Sequence, residues 1–123
     1  MRAVLHQDLV ALARCLMLLP ESRQRGFARR KILLAHKADE QRLILGRSDP
    51  KLGDGTLSSA VNGCPKGGET PLDRAPYGKA FAVALAEVLR FREAHPLVHE
   101  TQRGTAGSMA KRPVGNSSPQ SVQ

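Results

Sequence analysis

Histidine, aspartate and glutamate fall within about one helical turn at His36, Asp39 and Glu40, so one helix face presents an imidazole and two carboxylates, donors that suit a divalent cation. The set is incomplete. A metal site normally draws a further ligand from a second element, where only Asp8 or Glu87 could serve, and Lys37 and Arg42 bring positive charge beside the three donors. A solvated helix face with local ion pairs accounts for the same residues, and no metal ligand is assigned. The stretch Asp49-Pro50-Lys51-Leu52-Gly53-Asp54-Gly55-Thr56 has the outline of a calcium loop. However, Lys51 and Gly53 stand where oxygen donors are wanted, and Ala60 stands where a bidentate Glu closes such a site. Its Gly-Asp-Gly-Thr core lacks the Lys-Ser/Thr ending and the preceding strand of a phosphate loop. A turn that caps a short helix explains it equally well.

Nucleophilic chemistry finds no foothold. His6, His36, His95 and His99 are scattered, and no Ser or Cys lies in an elbow or triad pattern. Cys15 and Cys64 form no CxxC pair, which fits two reduced thiols of a cytoplasmic protein. The expectation is therefore no catalytic residue, no cofactor and no enzyme. The densest charge signal is basic: Arg23, Arg25, Arg29, Arg30, Lys31 and Lys37, with no acidic residue between Ser22 and Ala38. On a helix most of these fan across the outer half, where they suit a row of phosphates, so Arg23, Arg25, Arg29, Arg30 and Lys37 are the candidate nucleic-acid contacts. Lys31 falls nearer the apolar face and is expected to snorkel. Against this reading stand the lack of stacking aromatics in the patch and of helix-turn-helix spacing.

The elements that must carry these residues are helical. Leu5, Leu9, Leu12, Leu16 and Leu19 recur at steps of four and three, which predicts a first helix over 5–19 with one apolar stripe. Pro20 ends it and suits the first turn of a second helix over 20–45, stopped by Gly46, whose inner face should carry Phe27, Leu34, Ala38 and Leu45, joined by Ala28 and Ala35. The two should pack as a hairpin. From Arg47 to Pro76 turn residues dominate, with one short helix over 56–62 capped by Asp54 or Thr56. Tyr77, Phe81, Ala84, Val88 and Phe91, flanked by Ala80 and Leu85, predict a last helix over 76–95 ended by Pro96.

These elements imply an all-α bundle of three long helices and one short one as a single domain over 1–95. A basic tail follows over 96–123, too poor in large apolar side chains to offset its ordering entropy. With 41% hydrophobic residues but no Trp and one Tyr, the core must be aliphatic, and the net charge of +8 favours polyanions without saying anything about fold. His6, Asp8 and Arg14 interrupt the apolar run that a secretory signal needs, and no window suits a membrane span, so a cytoplasmic location is expected.

Three stretches carry a family likeness: Met1-Arg2-Ala3-Val4 through Leu19-Pro20-Glu21, Gly46-Arg47-Ser48-Asp49-Pro50 with Gly53-Asp54-Gly55-Thr56-Leu57, and Tyr77 to Leu85. On these the chain resembles short uncharacterised proteins of alphaproteobacteria that are grouped as a domain of unknown function. The resemblance spans about 1–94 and implies a small helical protein; it carries no functional residue with it. The residues leave two function classes standing. One is a non-catalytic helical accessory or interaction module that docks a protein partner or a second copy. The other is a nonspecific nucleic-acid binder acting through the second helix and the tail.

Overall fold

A computed structural model describes residues 1–97, and the chain divides into two units, Met1–Phe91 and Arg92–Gln123. Four helices follow in order: α1 (His6–Leu16), α2 (Glu21–Leu45), α3 (Leu57–Ala60) and α4 (Tyr77–Ala94). Among the described residues there is no strand, only an isolated antiparallel bridge between Asp49 and Gly53. The fold class and element order are those expected. Of the expected tail, residues 98–123 lie outside the described residues. Gly46 stops α2 in the left-handed conformation, with φ 74°, and its N–H donates to the Arg42 carbonyl at 2.9 Å.

The leucine stripe is shorter than its spacing suggests. Leu12 and Leu16 are fully buried and Leu9 and Leu19 partly so, but Leu5 is 56% exposed. The reason is local: Leu5 is the N-cap, with extended backbone, and has left the helical phase that the periodicity assumes. α1 also ends early, at Leu16, because the chain tightens into a turn in which the Leu19 N–H donates to the Leu16 carbonyl, before Pro20. Leu45, read as an inner residue of α2, is half exposed on its last turn. The buried face of α2 is Ala28, Ile32, Ala35 and Ala38, while Phe27 and Leu34 lie at its edge. Small residues let helices approach closely, and Leu12, Leu16, Ile32, Leu57, Val61 and Tyr77 fill the space between them. Cys15 belongs to this core, although it lies off the leucine stripe.

Three polar side chains are buried among the described residues, and each fastens one helix to another. Asp8 reaches back to the Leu5 N–H at 2.8 Å, closing the first turn of α1, and its other oxygen accepts from the Ser58 N–H and hydroxyl. Gln24 donates from α2 to the Leu16 and Leu19 carbonyls at the end of α1, the first of which also accepts from the Leu19 N–H. Glu87 joins α4 to α2 through two arginines. A buried polar group left without partners costs about 1–3 kcal/mol, so these links select one arrangement of helices among the several an aliphatic core permits.

Candidate functional site

The fold separates the basic residues of α2 into two groups. Arg25 and Arg29 turn towards α4 and donate to the Glu87 carboxylate, at 3.2 Å and 2.8 Å, and Arg90 of α4 donates to it at 2.7 Å. The Glu87 side chain is 3% exposed and each arginine side chain more than half exposed, so one buried carboxylate is ringed by three solvated guanidinium groups. Burial pushes the Glu87 carboxyl up, but the hydrogen bonds from Arg29 and Arg25 and the charges of Arg29 and Arg90 outweigh it and hold the group below its ordinary range.

Arg23 and Arg30 point elsewhere. With Ser22, Gly26, Phe27 and Leu19 they line an open groove of about 470 Å³ on the outer side of α2. Neither has a carboxylate partner among the described residues, and the same holds for Lys37, farther along the helix. Arg23, Arg30 and Lys37 recur every seven residues, about 10 Å apart along one face. The aromatic ring that the sequence reading found missing from the patch is Phe27, which the periodicity had turned inward. It is only partly buried, lines the groove between the two arginines, and carries the Lys31 ammonium 5.3 Å above its centroid. The buried arc of α2 centres on Ala28, Ile32 and Ala35, so Phe27 stands at its edge, packed against the core and also lining the groove.

The other candidates are drawn into structure. His36 Nδ1 lies 2.8 Å from the Met1 amine and Nε2 lies 3.5 Å from Glu40, while Asp39 holds Arg42 at 2.7 Å and stands 3.5 Å from the Met1 amine. Among the described residues no group of three or more His, Cys, Asp or Glu side chains is arranged around a metal. The Gly-Asp-Gly-Thr loop caps α3: Asp54 accepts from the Thr56 N–H and hydroxyl, and Thr56 in turn accepts from the Ser59 N–H. The bonds from Thr56 hold the Asp54 carboxyl below its usual range. Gly55 is required here. Its φ is 90°, and a side-chain carbon added to it would lie 2.9 Å from the Asp39 Cα. Burial pushes the Cys15 thiol up more than Lys66 pulls it down, which keeps it protonated at neutral pH.

One further surface is conspicuous for what it lacks. From Ala80 to Leu89 the only charged side chain of α4 is Glu87, which is buried. The outer face therefore consists of Ala82, Leu85, Ala86 and Leu89, at the spacing of a helix-packing stripe, with Leu85 38% and Leu89 56% exposed. Leu85, expected to flank the core, lies on this face. Lys79, Arg90 and Arg25 border it, and Arg25, Ala82, Val83, Ala86 and Arg90 share a shallow cavity with Glu87.

The family described as Domain of unknown function (DUF7742) matches residues 2–88, and the chain belongs to it. That span holds the Glu87 cluster and the Arg23 groove. No curated protein and no solved structure matches the chain. No helix among the described residues is long and apolar enough to cross a membrane.

Proposed function

We propose that this protein is a non-catalytic helical interaction module of the cytoplasm, which receives an acidic amphipathic helix of a protein partner on the outer face of α4. The observation that carries this reading is the run Ala80–Leu89, whose one charge is buried, leaving Ala82, Leu85, Ala86 and Leu89 against water. A helix apolar on both sides is ordinarily covered on both sides. Alternation of alanine and leucine at i, i+3, i+4 and i+7 fits the ridges of a docked helix. The rim decides what kind of helix: Lys79, Arg90 and Arg25 border the stripe, so a partner flanked by carboxylates is attracted. A second copy of this chain, carrying +8, would set like charges against each other. The absence of a chemical role is supported by the elevated Cys15 thiol and by the ion pairs that occupy His36, Asp39 and Glu40.

The test uses a synthetic amphipathic helix of about twenty residues, leucine on one face and glutamate at its flanks, titrated into isotopically labelled protein. Amide shifts should concentrate at Ala82, Leu85, Ala86 and Leu89 and vanish in the Leu85→Ser, Leu89→Ser double variant. Shifts that survive in that variant, or none at all, contradict the proposal. A dimer in sedimentation that the same variant dissolves would assign the face to a second copy and contradict it equally.

A further inference from the structure

We infer that the outer groove of α2 is a binding site for single-stranded nucleic acid, in which Phe27 takes a base and Arg23, Arg30 and Lys37 take the phosphates that follow. The inference does not depend on the α4 surface and rests on different residues. Three observations combine. First, the groove and the helix face that continues it carry cations without counter-charges: Arg23 and Arg30 in the groove and Lys37 beyond it have no carboxylate partner among the described residues, although Arg25, Arg29 and Arg90 on the same protein crowd around one glutamate. The acid nearest Arg23 in sequence, Glu21, faces Lys79 at 3.5 Å, and the acids nearest Lys37, Asp39 and Glu40, face Arg42 at 2.7 Å and His36 at 3.5 Å. Second, the row is regular. Steps of seven residues place the three cations about 10 Å apart and about 21 Å end to end, a span that an extended strand of a few nucleotides covers.

Third, an aromatic ring lies between the first two cations. Phe27 lines the groove together with Arg23, Gly26 and Arg30, and its face is engaged by the Lys31 ammonium at 5.3 Å. A base that stacks on that face displaces Lys31 on its flexible stem and releases a fourth cation to the backbone. Gly26 keeps the floor low, since it offers no side chain between the arginines. A duplex hides its base faces and would leave the ring unused, which is why the single strand is the better occupant. Base identity is not read: no side-chain amide lines the groove, so the interaction is sequence-tolerant and falls with salt.

The experiment is fluorescence anisotropy of a labelled twelve-nucleotide oligothymidine with the full chain over a salt series, repeated with Arg23→Gln plus Arg30→Gln and with Phe27→Leu. Heparin serves as a polyanion that has no bases. Each phosphate contact contributes about 0.7 to the salt slope on a single strand, so the double variant should lower the slope by about 1.4. Phe27→Leu should weaken oligothymidine binding about tenfold or more at unchanged slope and leave heparin binding as it was. The arginines are exposed, so the double variant folds; circular dichroism of Phe27→Leu confirms that its helices are intact. Oligothymidine affinity within twofold of wild type in the double variant overturns the site. A Phe27→Leu protein that loses heparin and oligothymidine equally, or neither, overturns the stacking role and leaves only diffuse charge attraction.

Discussion

Glu87 shows how one side chain can change the meaning of several others. A cluster of arginines on a helix reads as a phosphate-binding face, yet two of them, Arg25 and Arg29, are held by a carboxylate donated from another helix. Replacing Glu87 with Gln keeps the shape and removes the charge; the exposed arginines stay hydrated, so the loss should be about 1–2 kcal/mol by urea denaturation at pH 7. The sign of the pH dependence follows from the lowered carboxyl. Its ordinary value is 4.5, so its contribution is complete above that pH and is lost as pH falls through the lower folded-state value. Wild type should therefore destabilise steeply below about pH 4.5, and Glu87→Gln less so; equal acid limbs would contradict the role. Asp54 adds to the acid limb in the same direction. Gly55→Ala is a sharper test of packing, because left-handed backbone and contact with the Asp39 backbone both oppose it. A loss of about 2 kcal/mol or more is expected in thermal melts. Glu87 and Gly55 acquire their roles only when distant segments meet, whereas the spacing before Leu57 narrowed the cap to Asp54 or Thr56, and Thr56 takes it.

At the scale of elements, periodicity located the three long helices and capping residues the short one, and periodicity misjudged phase where a helix ends or turns. Leu5 and Leu12 look equivalent in the heptad-like spacing of the first stripe. Leu5 is the N-cap and Leu12 lies fully inside. Leu12→Ala should accordingly cost about 2–5 kcal/mol and Leu5→Ala under about 1 kcal/mol in parallel denaturation curves. Similar losses at both positions would move the start of α1. The same weakness explains Phe27 and Leu85. Phe27 was placed inward together with Ala28 and Ala35, and Leu85 beside the α4 stripe; α2 presents Ala28, Ile32 and Ala35 to the core with Phe27 at the edge, and α4 presents Tyr77, Ala80, Ala84, Val88 and Phe91. An apolar residue one position off the buried arc ends at the surface, where it is free to meet something else. The α4 surface consists largely of such residues, and in the α2 groove Phe27, at the edge of the buried arc, lies among arginines.

At the scale of the molecule, the basic residues of α2 are divided into two groups among the described residues. One portion neutralises a buried carboxylate and holds α2 to α4, and the other lies along an open groove with no internal use. That division was out of reach of the sequence, since Arg23, Arg25, Arg29, Arg30 and Lys37 share one stretch of helix and differ only in what lies across from them. It is also the claim on which the groove inference rests. The most direct measurement compares two variants with equal charge change, Arg25→Gln with Arg29→Gln and Arg23→Gln with Arg30→Gln, by urea denaturation in the same buffer. The first pair should lose about 1–2 kcal/mol, because Glu87 keeps only Arg90, and the second should stay within about 0.5 kcal/mol of wild type. Equal losses in the two pairs, or the larger loss in the second, would contradict it.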